Sequence, residues 1–122
     1  MDKQQAYYSL WNNFGLPAYD ELSVPDNAVL PYITYQVITG DIEQQLFPTA
    51  SLYYRSSSWA TIDAKLAEIS AYVEDMDPIP LNDGGYMYVR KGSPWAQRMA
   101  DETDKDIRRY VLNLAVEFLT RT

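Results

Sequence analysis

The chain has no cysteine and no histidine among its 122 residues. The first absence excludes disulfide frameworks, zinc–thiolate sites and thiol catalysis together. The second removes the commonest general base and the commonest transition-metal ligand, so Ser–His–Asp and Cys–His machinery cannot be built from this chain alone. No stretch reaches the roughly 18 consecutive apolar residues of a membrane span, and MDKQQAYYSLW is not a signal peptide. A soluble product of a reducing compartment, made without export, is expected. Positive charge is also short. Ten basic against 17 acidic residues leave a formal charge of −7, a field that opposes DNA or anionic lipid as a tight partner.

What is present is an ordinary globular balance, 47% apolar and 22% charged, in a chain of single-domain length (1–122). A domain of this size buries about two thirds of its unfolded surface and needs neither metal nor disulfide to fold. One excess stands out: Tyr occurs 11 times, against three each for Phe and Trp. A broad ring with a polar tip suits surfaces that are buried in one state and wet in another.

Periodicity divides the chain into six elements. DKQQAYYSLWNNFG carries Tyr7, Leu10, Trp11 and Phe14 at i, i+3, i+4 and i+7, a core-facing helical stripe, with Gly15 and Pro17 as the stop. A proline-rich loop leads into LPYITYQVIT (30–39), a strand with Tyr32, Thr34, Gln36 and Ile38 on one face and Ile33, Tyr35, Val37 and Thr39 on the other. Both faces are aromatic or β-branched, so something must cover the second: the N-terminal helix or a neighbouring molecule. GDIEQQLFP then reads as a long loop to TASLYYRS (49–56), closing an antiparallel hairpin. In the next segment Trp59, Ile62, Leu66, Ile69 and Val73 form a continuous helical stripe. Ser57 or Ser58 can cap its start, and the acids after it predict an end near Val73. GYMYVRKG (85–92) reads as a third strand and SPWAQRMADETDKD as a polar stretch. IRRYVLNLAVEFLTR reads as a long central strand, with Tyr110, Leu112, Leu114, Val116 and Phe118 inward. The order is α-β-β-α-β-β. The expected fold is a single α+β domain with a mainly antiparallel four-stranded sheet and helices packed on one face.

Candidate chemistry is thin. The acids Asp101, Glu102, Asp104 and Asp106 lack the glycine and closing glutamate of a calcium loop, and they read as a solvated or docking loop. NDGGYMYV has a glycine pair without the following helix and Lys–Ser/Thr of a phosphate cradle, so it reads as a turn. Asp20, Glu21 and Asp41 fall in loops with nothing to bring two of them into a cleft. Arg90, Lys91, Arg98, Arg108 and Arg109 are interrupted by acids and form no basic stripe. No enzyme activity, cofactor, metal or sequence-specific nucleic acid is expected. The remaining feature is surface too apolar for free water. Candidate subunit-interface residues are Tyr35, Ile42, Leu46, Phe47, Tyr53, Tyr86 and Tyr88.

Taken together, LWNNFGLPAYDELSVPDNAVLPYITYQVI, SLYYRSSSWATIDAKLAEIS and DGGYMYVRKGSPWAQRMAD…IRRYVLNLAVEFL resemble small proteins of the head–tail morphogenesis modules of tailed phages and prophages of Gram-positive bacteria. These are the minor capsid or tail completion proteins, similar to the tail terminators of long-tailed phages. The resemblance spans roughly residues 8–120 and rests on an overall pattern, not on a catalytic signature. It implies a non-enzymatic α+β subunit that closes into a hexameric ring on the tail tube. Such a ring halts tube growth and meets the head connector or stopper protein. The implied location is the virion's head–tail junction, with host cytoplasm during assembly, and the subunit can be monomeric in isolation. Head-completion and connector-adaptor proteins are the neighbouring alternative. A free-standing domain that binds a ligand or peptide on an open sheet face is the alternative from another class. Within the assembly reading, Asp41, Glu43, Asp101, Glu102, Asp104 and Asp106 are candidate lumen or docking acids, because an acidic channel repels passing DNA.

Overall fold

The computed structural model describes residues 1–40, 44–100 and 104–119. Its elements in chain order are α1 (Lys3–Trp11), β1 (Ala18–Asp20), β2 (Tyr32–Tyr35), β3 (Gln45–Leu46), β4 (Thr49–Arg55), α2 (Ala60–Asp75), β5 (Ile79–Pro80), β6 (Tyr86–Ala100) and β7 (Ile107–Leu119). The α+β class and single domain stand. The four-stranded sheet does not. Seven strands form one mixed sheet in the order β1-β2-β4-β7-β6-β5, with β3 also on β7 and β1 running parallel to β2. The expected packing of the helices on one face of such a sheet does not stand either. The sheet curls, so that α1 meets β1 and β2 while α2 meets β4 and β6.

Helix α1 begins in a reciprocal cap. The Gln5 N–H donates to the Asp2 carboxylate at 2.8 Å, and the Asp2 N–H donates to the Gln5 side chain at 2.9 Å. Its stripe is core as expected, with Tyr7, Leu10 and Trp11 buried. Phe14 is also buried but lies in the turn beyond the helix end. Helix α2 opens with the Ala60 N–H donating to Ser58 Oγ at 3.1 Å, and it buries Ile62, Ile69 and Val73. It continues past the predicted end at Val73 to Asp75. The Glu74 carboxylate is held by Lys91 of β6 at 2.5 Å, which offsets its unfavourable place at the negative end of the helix dipole.

Strand β7 is the axis of the fold. Its inward residues Leu112, Leu114, Val116 and Phe118 are essentially inaccessible, and Tyr110 nearly so. Antiparallel register aligns them with Leu52 and Ala50 of β4 and with Met87 and Val89 of β6. Tyr7 of α1 stands edge-on to Phe118 at 6.1 Å, and Trp59, beside the start of α2, stands edge-on to Tyr110 at 5.5 Å.

β1 lies in the stretch read as a proline-rich loop and β5 in the turn stretch after α2, and two further segments not read as strand are strand. The polar stretch after Gly92 continues β6 to Ala100, paired with β7 on both sides of an irregularity between Lys91 and Ala96. At that irregularity Gly92 approaches the β7 backbone so closely that a Cβ would sit 2.9 Å from the Asn113 carbonyl oxygen. The Asn113 side chain donates to the Pro94 carbonyl at 3.0 Å. A bulge shifts side-chain parity partway along a strand, so the alternation on which sequence reading depends is lost there. The second segment is β3. It lays Leu46 opposite Val116, on the core, which explains an apolar residue inside an otherwise polar connection.

Candidate interaction surface

Opposed residues in an antiparallel pair share a face, so register assigns the outer side of the sheet residue by residue. On that side Tyr32 faces Tyr53, Tyr53 faces Arg109, and Arg109 faces Met99. Tyr19 of β1 completes the line. The Tyr19 and Tyr32 rings are 5.8 Å apart, those of Tyr32 and Tyr53 are 5.2 Å apart, and the Arg109 guanidinium lies 5.3 Å from the Tyr53 ring. The result is a continuous row, Tyr19–Tyr32–Tyr53–Arg109–Met99, crossing β1, β2, β4, β7 and β6.

The row is held in place from beneath. Ser51 on β4 is buried, and its hydroxyl accepts from Arg109 Nε and Nη2 at 3.2 and 3.0 Å. A buried hydroxyl needs such a partner, and satisfying it pins the guanidinium flat against the sheet. Arg109 has no carboxylate partner among the described residues. By contrast, Arg55 pairs with Asp104, Arg90 with Glu117 and Arg98 with Asp63. No described helix covers the row. Tyrosine, arginine and methionine are the side chains enriched where proteins meet.

A second exposed cluster lies toward the other end of the same face. Tyr86 and Tyr88 flank the Arg90–Glu117 pair, with their rings 6.5 Å apart. Phe47, directly after the Leu46–Val116 rung, is exposed over 64% of its surface.

The expected interface residues therefore separate. Tyr53 is central to the row, and Tyr86, Tyr88 and Phe47 are exposed. Tyr35 is corrected: its face of β2 is the inward one, and it is buried in the core beside Ala50. Leu46 is corrected likewise, since it packs on the core. The alternative that the N-terminal helix covers the second face of β2 is also corrected, because α1 spends its apolar stripe on the core that Ile33 and Tyr35 help to form. Ile42 lies outside the described residues. So do Asp41, Glu43, Asp101 and Glu102 among the expected acids. Asp104 accepts from Arg55 and from the Asp106 N–H, the latter at 2.9 Å, within the turn before β7. That turn precedes Ile107, whereas Gln45 pairs with Glu117. Ten residues of strand, roughly 30 Å, separate the Asp104–Asp106 turn from the rung at Gln45.

Sequence reading missed Tyr19, Tyr32, Arg109 and Met99 as surface partners of Tyr53. The parities of β2, β4 and β7 are legible in the sequence, but not the register that aligns them, and Tyr19 and Met99 lie in segments that carry no strand reading. The signal that existed was the pairing of Tyr with polar residues on one parity of each strand.

On the inner side, Tyr110 donates to Asp63 at 2.6 Å and accepts from Arg98 Nε at 2.9 Å, with the Arg98 guanidinium stacked 4.4 Å from Trp59. The Tyr110 hydrogen bond raises the Arg98 pKa above its ordinary value, so this arginine is a fixed cation. Tyr7 is buried with its hydroxyl donating to the Ile38 carbonyl at 2.8 Å, and burial pushes its pKa upward. These are groups that fasten helices to the sheet. Among the described residues no three acidic side chains converge to hold a metal ion. Three grooves, of ≈ 420, ≈ 650 and ≈ 440 Å³, are all open to solvent. The largest lies between α1 and α2 over the Phe14–Tyr72 contact, with Asp75 and Asp77 in its wall.

No protein-family model matches the chain, and neither curated proteins nor solved structures include a significant match.

Proposed function

We propose that this chain is a non-enzymatic structural subunit of the phage head–tail junction, a tail terminator that assembles into a ring, hexameric in the family it resembles, capping the tail tube and meeting the head connector. The observation that carries this reading is the Tyr19–Tyr32–Tyr53–Arg109–Met99 row on the outward parity of the sheet, half-buried at its tyrosines and arginine and exposed at Met99. A self-contained domain gains only the modest cross-strand stabilisation of such pairs. A subunit gains a contact surface that tolerates water until its neighbour arrives. The sequence resemblance set out above supports the same reading independently. A head-completion or connector-adaptor protein would use the same surface toward a different partner. The three grooves are all open to solvent, and none encloses a small-molecule ligand.

The test is solution mass against concentration, alone and with a tail tube protein of a long-tailed phage. A discrete ring, alone or only with the tube protein, is the expected result. A monomer at every concentration, indifferent to the tube protein, overturns termination.

A further inference from the structure

Building on the assembly reading above, we infer that the occupant of the outer row is a second copy of this chain, which presents the groove between α1 and α2. The two surfaces are complementary in charge. The row carries a guanidinium, Arg109, with hydroxyl contacts and no carboxylate partner among the described residues. The groove carries Asp75 and Asp77, both exposed and without a cation among the described residues. Its floor is apolar and aromatic: Phe14 meets Tyr72 edge-on at 5.2 Å, with Met76 and Ile79 alongside. Tyrosine rings flanking an arginine fit such a floor, and the guanidinium fits its acidic wall.

The placement also excludes internal use. The helices that form the groove bury their stripes against the inward parity of the sheet, while the row occupies the outward parity. The two patches face away from each other, so no copy can satisfy itself. A patch that meets a different patch on the next copy makes a head-to-tail contact, and such contacts close into rings when the rotation allows. Neighbouring Glu68 is already paired with Lys65 at 3.1 Å, which leaves Asp75 and Asp77 as the free acids of the wall.

The experiment is a charge-reversal exchange on the full chain, read by solution mass under whichever condition assembles the unaltered protein. Arg109→Glu alone, and Asp75→Arg with Asp77→Arg alone, should each weaken association at least about tenfold, because each sets like charges across the contact. Mixing the two variants should restore assembly, since every contact in an alternating ring is then complementary. Tyr32→Ala, which leaves all charges in place, should also weaken association, and circular dichroism should find every variant folded. Variants that assemble as well as the unaltered chain overturn this pairing and leave the assembly reading standing. So does a mixture that fails to recover. If the unaltered chain never assembles, with or without the tube protein, both the pairing and the assembly reading fall.

Discussion

The two sides of β7 were built from the same strand and serve opposite ends. Inward, Leu112, Leu114, Val116 and Phe118 lie under helices and have lost all contact with water. Outward, Arg109, Val111, Asn113 and Glu117 stay half-buried among side chains of the sheet itself, and only Ala115, the smallest, is covered. The inner side shares its apolar area with α1 and α2 and decides whether the chain folds. The outer side shares its area with neighbouring strands alone and leaves an aromatic and cationic row in contact with solvent. Stability and, on the proposed reading, recognition are thereby separated by one residue of parity. A substitution on one side should report on folding and on the other side on association.

That separation can be broken most strongly at Phe118. It is fully buried against Tyr7, with the Lys3 ammonium 4.9 Å from its ring. Phe118→Ala should cost about 3–5 kcal/mol in urea unfolding, through lost transfer energy and a residual cavity. Next comes Gly92, where an added methyl meets the Asn113 backbone and not a side chain that can swing aside. Gly92→Ala should cost about 1–3 kcal/mol and loosen the β6–β7 ladder, seen as faster amide exchange on both sides of the bulge.

The inner side also predicts a pH limit. Tyr7, Tyr35 and Tyr54 all have pKa values raised above the ordinary 10.0, with burial the leading cause in each case. For a group raised on folding, the stabilising contribution is complete below the unfolded pKa and is lost as pH rises through the folded one. Thermal stability should therefore decline above about pH 10, where the unfolded chain ionises first. Tyr7→Phe should flatten that decline while costing about 1 kcal/mol at neutral pH, because the Ile38 carbonyl loses its donor. The smallest effect on folding is expected on the outer row. Cross-strand pairs on a wet face contribute roughly 0.2–1 kcal/mol, so Tyr32→Ala should shift the urea midpoint little. If instead it unfolds the protein, the row is part of the core economy and the separation of roles fails.

Much of this architecture is legible in the residues. The stripes of α1 and α2, the inward parity of β7 and the α+β class follow from spacing alone, because burial of one face imposes its own period on the sequence. Element ends were less legible. Lys91 reaches Glu74 from 17 residues away, and that contact extends α2 beyond the point where local charge predicts its end. Residues 93–100 carry no strand period because a bulge resets it, and β3 is too short to carry any. The interface residues divide by the same logic. Phe47, Tyr86 and Tyr88 are exposed, Tyr53 and Leu46 are half-buried, and Tyr35 is buried, since choosing the outward parity of a strand apolar on both sides requires knowing what packs against it.

Composition determined what this chain cannot build from its own side chains, namely histidine- and thiol-based chemistry, and periodicity determined which faces of its long elements must be buried. Both are local properties: they depend on which residues are present and how they are spaced. Only the tertiary structure decided that four strands from distant parts of the chain place Tyr19, Tyr32, Tyr53 and Arg109 in one line. Cross-strand register is fixed by the fit of the core beneath it. A row on the outer face is therefore written by the packing of the inner one.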